Sequence, residues 1–169
     1  KEISLLDLGA NVTATSENLF QFAILAHGLQ ANKFNPKPRV ALLNVGHEDI
    51  KGTAVVKEAA EKLRACDALN FVGYIEGNEL FSDKADIIVS DGFVGNIMLK
   101  SCEGMVRILY KKMLSSLKNR PVFSLVFKNI IKKLMIETFR DYSTDHRNGA
   151  IFLGLNGLVL KSHGNAEEH

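Results

Sequence analysis

The sequence is poor in the residues that stabilise disulfide-bonded and fibrous proteins. Its 169 residues include only two cysteines and three prolines. Because Cys66 and Cys102 form no C-x-x-C pair and are too few for a disulfide framework, we expect both to be reduced thiols of a cytosolic protein. The scarcity of proline and the lack of a Gly-X-Y period exclude collagen-like and proline-rich arrays. No run of about 18 uncharged apolar residues occurs, so no transmembrane helix is predicted.

Several sequence motifs of known chemistry are also missing. No loop matches the phosphate-binding pattern G-x-x-x-x-G-K-[S/T], and none gives the dinucleotide-binding pattern G-x-G-x-x-G. There is no H-E-x-x-H motif and no cysteine–histidine set, so we predict neither a metal site nor a cofactor. The segment Val89-Ser90-Asp91 does not fit the G-x-S-x-G turn that exposes a nucleophilic serine.

The composition is that of a globular protein, but the charge is unevenly distributed. Hydrophobic residues make up 46% and charged residues 24%, which excludes a disordered chain. The length fits one domain, or one large piece of a two-domain protein. The net charge is only +2, but residues 105–140 contain nine basic residues and Glu137 as their only acid. The segment therefore carries +8 and the remainder −6, which predicts an anionic partner for the segment.

Strand-like apolar runs alternate with helical segments along the chain. Near-continuous apolar strands of this kind predict a mostly parallel sheet in an α/β fold. Ser16 and Thr53 are expected to cap the first two helices. The predicted strands are 3–8, 40–45, 70–74, 85–89 and 158–161, and the predicted helices are 17–30, 54–64 and a long stretch that starts near residue 95.

Glycine and polar residues follow four of the predicted strands, in loops 9–11, 46–52, 91–96 and 161–165. In a parallel sheet, ligands bind at the carboxyl ends of the strands. Glycine lets backbone N–H groups approach an anion, and a helix start adds its positive dipole end. With charge from Lys51 and Lys161 and an amide from Asn96, the loops predict a phosphate or oxyanion site. The alternative is ordinary turn chemistry, with Asp7 and Asp91 capping turns.

The basic segment reads as a helical hairpin with an apolar tip. Residues 105–119 and 122–139 each place apolar side chains on one helix face and basic side chains on others. Such helices favour an anionic lipid surface or an acidic protein, and nucleic acid is not expected. The alternative is a pair of helices packed on the sheet or on each other, with a solvated lysine face. The residues predicted to form the membrane or carrier-protein surface are Lys111, Lys112, Phe123, Phe127, Lys128, Lys132 and Lys133.

Five motifs, in order along almost the whole chain, resemble those of the PlsX family of bacterial phosphate acyltransferases. They are Leu5–Val12 (LLDLGANV), Leu43–Gly52 (LNVGHEDIKG), Asn70–Gly77 (NFVGYIEG), Asp91–Gly104 (DGFVGNIMLKSCEG) and Leu153–Gly164 (LGLNGLVLKSHG). The family's opening D-A-M-G-G-D motif and first portion are not in the sequence. We therefore expect the chain to correspond to the second half of the enzyme, with residues 1–104 and 141–169 in the α/β portion and residues 105–140 as the hairpin.

The resemblance implies an activity, a fold and partners. Members of the family convert acyl-[acyl carrier protein] and phosphate to acyl phosphate for phospholipid synthesis, without a cofactor. Their fold is similar to that of phosphotransacetylase and isocitrate dehydrogenase, a three-layer α/β sandwich around a cleft. They are homodimers, cytoplasmic but peripheral to the inner face of the cell membrane.

On this resemblance we assign candidate roles to individual residues. Lys51 would balance the charge of phosphate, Asn96 would hydrogen-bond phosphate or the oxyanion, and His163 would protonate the leaving thiolate or bind substrate. Two rival interpretations remain: a phosphotransacetylase-type enzyme that uses acyl-coenzyme A, and a non-catalytic module that binds lipid or a carrier protein. The further candidates for binding phosphate or substrate are Asp7, Gly9, Asn11, Gly46, Gly52, Asp91, Gly92, Gly95, Lys161 and Gly164.

Overall fold

The computed structural model describes residues 3–33, 35–118 and 149–162. The chain divides into two compact units, Lys1–Leu99 and Lys100–His169, and each is described by itself. The predicted hairpin residues from Phe123 to Lys133, together with His163 and Gly164, lie outside the described residues. Among the described helices, none is long and apolar enough to cross a membrane.

The first unit is built on a four-stranded parallel sheet. Its strands are β1 (Ser4–Leu6), β2 (Arg39–Leu43), β3 (Asn70–Ile75) and β4 (Ile87–Val89), in the order β1-β4-β2-β3. The connections contain α1 (Ser16–Lys33), α2 (Ala54–Arg64) and a 3-10 turn at Gly77–Glu79, and α3 (Gly92–Lys118) follows β4. All three strand pairs are parallel, which confirms the prediction of a mostly parallel α/β fold.

Side chains of the two central strands are buried on both faces of this sheet. On one face, Val40 and Leu42 of β2 pack with residues of α1 and α2, such as Ala23 and Leu63. On the other face, the core around Ala41 includes the turn residue Leu80 and is covered in part by Met98 of α3. Because successive strand residues point to opposite faces, helices on both sides explain why β2 and β4 are apolar without alternation.

Of the two predicted helix caps, the structure confirms Thr53 but not Ser16. Thr53 caps α2, since its hydroxyl accepts a hydrogen bond from the Val56 N–H at 3.3 Å. The prediction for α1 is wrong by one residue, because Ser16 is already helical. Thr15 caps α1 instead: its hydroxyl oxygen accepts from the N–H of Asn18 at 3.1 Å and donates to the Asn18 side-chain oxygen at 2.8 Å.

A buried carboxylate joins the amino ends of the central strands. Asp86, which is 6% exposed, accepts hydrogen bonds from the backbone N–H and the guanidinium of Arg39 at 2.8 and 3.0 Å. Its own N–H donates to the Arg39 carbonyl, and its carbonyl accepts from Ser4, so the residue connects β1 and β2 through β4. Because a buried charge must be paired, this contact fixes the order of the strands at the amino edge of the sheet, opposite the loops that follow the strands.

The second unit contains the rest of α3 and an antiparallel hairpin. Strand β5 (Gly149–Phe152) pairs with β6 (Val159–Ser162), with Ile151 opposite Leu160. The predicted last strand therefore exists as β6, but in the described structure its partner is β5, in a separate two-stranded sheet. The sequence reasoning missed β5, a four-residue strand that begins with glycine.

Gly95 and Gly104 of α3 form a matched pair for testing this packing. A methyl group at Gly95 would lie 1.8 Å from the Asp7 carbonyl oxygen, whereas one at Gly104 would meet no atom within 4 Å. We expect Gly95→Ala to lower the free energy of unfolding by about 2 kcal/mol or more through overpacking. Gly104→Ala should raise it by up to about 1 kcal/mol, because alanine favours the helix. Urea unfolding of both variants makes the comparison, and equal stabilities would contradict the packing described here.

Candidate functional site

The loop after β1 is organised by the carboxylate of Asp7. One oxygen accepts hydrogen bonds from the N–H groups of Gly9 and Ala10, both at 2.9 Å. The other accepts from the N–H of Asn11 at 2.7 Å and from its side-chain amide at 2.9 Å. Gly9 has a φ of +123°, which glycine adopts without strain. The donors predicted to hold phosphate in this loop are thus bonded to a carboxylate of the protein itself.

These hydrogen bonds set the charge of Asp7. Partial burial tends to raise its pKa, but the hydrogen bonds from Ala10, Asn11 and Gly9 together outweigh burial and lower the pKa below the ordinary value of 3.8. The carboxylate is therefore ionised at neutral pH. Asp7 holds the loop in shape, and its charge would repel a phosphate placed directly against it.

The first turn of α3 lies against this loop with no room between them. The Gly92 N–H donates to the Asn11 carbonyl at 2.9 Å, and a methyl group at Gly92 would lie 2.4 Å from that oxygen. The side chain of Asn96 packs on Gly9, where an added Cβ would lie 3.5 Å from its own Cβ. Because β1 and β4 are neighbours in the sheet, their following segments meet, as the sequence predicts. Asn96 is exposed, and its side chain makes no hydrogen bond with the described residues.

Most N–H groups at the start of α3 already have partners. The Asp91 carboxylate caps the helix by accepting from the Val94 N–H at 2.7 Å, and Gly92 donates to Asn11. The N–H of Phe93 has no partner among the described residues. The helix start can therefore offer an anion this one N–H, the positive end of the helix dipole and the Asn96 amide.

The loop after β2 is held closed by Asn44, a residue that the sequence reasoning did not select. Its side-chain amide donates to the carbonyls of Gly46 at 3.0 Å and Lys51 at 3.3 Å. Gly52 has a φ of +89°, and an added Cβ there would lie 2.2 Å from the Asn44 side-chain oxygen. An asparagine directly after a strand, ahead of a loop bounded by two glycines, is the signal that could have identified it.

Lys51, the predicted phosphate-binding cation, is paired within its own loop. Its ammonium lies 2.8 Å from the Glu48 carboxylate, and its side chain is about half exposed. The hydrogen bond and the charge of Glu48 raise the pKa of Lys51, so the lysine is protonated at neutral pH. The register pairs Leu42 with Val89, so Asn44 and Asp91, two residues further on, lie level at the carboxyl edge. Loop 46–52 and α3 therefore follow neighbouring strand ends.

Of the remaining predicted residues, Lys161, His163 and Gly164, only Lys161 is among the described residues. Lys161 is exposed on β6, opposite Ala150, and belongs to the second unit. Within the ranges that the structure describes, no three His, Cys, Asp or Glu side chains are placed to hold a metal ion. The candidate residues that the structure brings to the carboxyl edge of the parallel sheet are Asp7, Gly9, Asn11, Gly46, Lys51, Gly52, Asp91, Gly92, Gly95 and Asn96.

The role of Asp7 predicts a pH-dependent loss of stability. A carboxylate with a lowered pKa stabilises the folded state above its unfolded pKa, and this contribution disappears as the pH falls through the folded value. We expect Asp7→Asn to cost about 1–2 kcal/mol at neutral pH, because the amide nitrogen cannot accept the loop's hydrogen bonds. The difference from the wild type should vanish below the lowered pKa.

Urea unfolding between pH 7 and pH 3 measures this difference. Asp67→Asn is the control, because Asp67 is exposed and has no hydrogen bond or ion pair with the described residues. A difference between Asp7→Asn and the wild type that does not change with pH would contradict this account of the loop.

Known proteins resemble the chain over nearly its whole length. The family described as fatty acid synthesis protein matches residues 1–169. The phosphate acyltransferase of Vibrio cholerae serotype O1 is 45% identical over 163 residues, which cover 96% of this chain and 48% of that protein. The phosphate acyltransferase of Moritella marina is 46% identical over 167 residues, 98% of this chain and 49% of that protein.

The match extends from the β1 loop to the hairpin of the second unit, and so includes every loop of the candidate site. The chain spans about half the length of the curated relatives it matches. A family match over all residues, together with these identities, confirms the resemblance to the PlsX phosphate acyltransferases: the chain belongs to the fatty acid synthesis protein family.

Proposed function

We propose that the protein transfers an acyl group from acyl-[acyl carrier protein] to inorganic phosphate, giving acyl phosphate for phospholipid synthesis. The observation that carries the proposal is that three polar loops follow strands at the carboxyl edge of one parallel sheet, with a protonated Lys51 on one loop and the exposed Asn96 amide beside another. Relatives that match almost all of the chain are named phosphate acyltransferase, which supports the same reaction.

The reaction joins a phosphate oxygen to the thioester carbonyl carbon. The carbon–sulfur bond then breaks, and the thiolate leaves and takes up a proton, so the products are acyl phosphate and the free thiol. Phosphate is already a nucleophile, and the protein's tasks are to hold it against its charge and to stabilise the oxyanion. Lys51 would exchange Glu48 for phosphate, and Asn96 and the Phe93 N–H would donate hydrogen bonds. His163 would supply the proton.

The proposal extends to partners and location. Acyl carrier proteins are acidic, so the basic segment 105–140 would attract the carrier or an anionic membrane by long-range electrostatics. Lys111 and Lys112 are exposed on α3, as such a role requires. We propose that the protein works as a cytoplasmic homodimer, peripheral to the inner face of the cell membrane.

Trapping of the product with hydroxylamine tests the reaction. The complete gene product that contains this chain, and the chain alone, would be supplied with phosphate and either an acyl carrier-protein thioester or acyl-coenzyme A. Acyl hydroxamate from the carrier thioester supports the proposal. Product from acyl-coenzyme A alone would assign a phosphotransacetylase-type activity, and no product from the complete gene product would leave a non-catalytic binding module.

Substitution of Lys51 tests its assignment to phosphate. We expect Lys51→Ala to lower kcat/KM for phosphate on the order of 100-fold, because the charge opposite the anion is lost. Asn96→Ala should act in the same direction, whereas Lys57→Ala removes a lysine from α2 and serves as the control. Wild-type kinetics in Lys51→Ala would remove this residue from the mechanism.

Charge reversal on α3 tests the surface role separately. The variant Lys111→Glu/Lys112→Glu should weaken binding to anionic vesicles or to the carrier protein by at least about tenfold, since each basic residue near anionic lipid contributes about 1 kcal/mol. The matched control, Lys37→Glu/Lys57→Glu, changes the net charge equally outside the basic segment. Equal binding by the two variants would show that position on α3 has no special role.

A further inference from the structure

One histidine ties the loop that carries Lys51 to the next strand. The Nδ1 atom of His47 lies 3.1 Å from the backbone carbonyl oxygen of Tyr74 in β3. Its Nε2 atom lies 2.8 Å from a carboxylate oxygen of Glu79 and 3.7 Å from one of Glu76. His47 lies in the loop after β2. Through these contacts its ring connects that loop to both the end of β3 and the turn that follows β3.

The carboxylate that receives His47 is fixed in place. Glu79 pairs with Lys84 and accepts a hydrogen bond from the Glu76 N–H at 3.2 Å, which closes the 3-10 turn. The hydrogen bond from Lys84, followed by that from the Glu76 N–H, lowers the pKa of Glu79, and the charge of Lys84 adds to this. Glu79 is therefore ionised at neutral pH, and its side chain is only 18% exposed. It is an anchor of fixed position and charge.

The same tie affects the electrostatics around Lys51. The Lys51 ammonium is bonded to Glu48, and the negative charge of Glu76 also contributes to its raised pKa. Both ring nitrogens of His47 face oxygen atoms, Nδ1 that of the Tyr74 carbonyl and Nε2 those of Glu79 and Glu76. With the ring of His47 3.7 Å from its carboxylate, Glu76 has a polar neighbour of its own and competes less for Lys51.

We propose that His47 is a positioning residue for phosphate binding: it anchors the loop of Lys51 to Glu79 and keeps Glu76 from drawing that lysine away. The inference rests on the proposed function, in which Lys51 meets phosphate. His47 itself would not touch phosphate, since its two ring nitrogens face the Tyr74 carbonyl and the Glu79 carboxylate.

Two conservative variants separate the two hydrogen bonds of the ring. Glutamine carries a donor near the position of Nε2, so His47→Gln can keep the bond to Glu79. Asparagine carries one near Nδ1, so His47→Asn keeps only the bond to Tyr74. In the complete gene product, we expect His47→Asn to raise the phosphate KM about 5-fold. Its kcat and its KM for the acyl donor should stay unchanged, and His47→Gln should restore the phosphate KM.

Glu79→Ala provides the same test from the other side of the contact, because it removes the acceptor that anchors His47 and leaves Glu76 in place, and it should raise the phosphate KM in the same way. The control is Lys62→Met, which breaks a comparable exposed ion pair, 3.0 Å from Glu17, between α1 and α2. It should leave the phosphate KM unchanged. Thermal unfolding of each variant shows whether a kinetic change reflects the site or a loss of folded protein.

A double-mutant cycle with Lys51→Ala decides whether His47 acts through Lys51. Residues that act through one another are non-additive, so His47→Asn should have no further effect once Lys51 is alanine. Additive effects, or an unchanged phosphate KM in both His47→Asn and Glu79→Ala, would overturn the inference and leave the proposed function intact. Wild-type kinetics in Lys51→Ala would remove both the role of Lys51 and this inference. An inactive wild-type protein would overturn the proposed function itself.

Discussion

The Asp7 carbonyl oxygen and the first turn of α3 approach each other so closely that no side chain fits between them. An added Cβ at Gly95 would lie 1.8 Å from this oxygen, and one at Gly92 would lie 2.4 Å from the Asn11 carbonyl. The site depends on this contact, because it brings the β1 loop, the helix start and Asn96 together. The neighbouring positions of β1 and β4 in the sheet make the contact possible, and the hydrogen bond from the Ser4 N–H to the Asp86 carbonyl holds those strands at the opposite edge.

Acidic side chains are numerous around a site proposed to bind an anion, and each has a partner. Asp7 accepts from its own loop, Asp91 caps α3, Glu48 pairs with Lys51, and Glu79 receives His47. Pairing leaves few donors free to meet phosphate. The exposed Asn96 amide, the Phe93 N–H and a lysine that must exchange one carboxylate for another would therefore carry the binding.

The sequence predicted the elements better than the contacts between them. Apolar runs located the four strands of the parallel sheet, and Thr53 located the start of α2, because these signals are local. The pairing of β6 with β5 was missed, since partners in a sheet are chosen by tertiary packing. The ties from Asn44 to its loop and from His47 to Glu79 were also missed, because they depend on which loops the fold brings together. Glycine spacing indicated an anion site, but not that Asp7 occupies the donors of one loop.

The central claim is that phosphate binds at the carboxyl edge of the parallel sheet, and an NMR titration of the complete gene product with inorganic phosphate tests it most directly. The account predicts amide chemical-shift changes concentrated at Phe93, Asn96 and loop 46–52, which saturate and are lost in Lys51→Ala. It predicts much smaller changes at Gly9 and Ala10, whose N–H groups are bonded to Asp7. Changes confined to other parts of the chain, or none at all, would contradict the account.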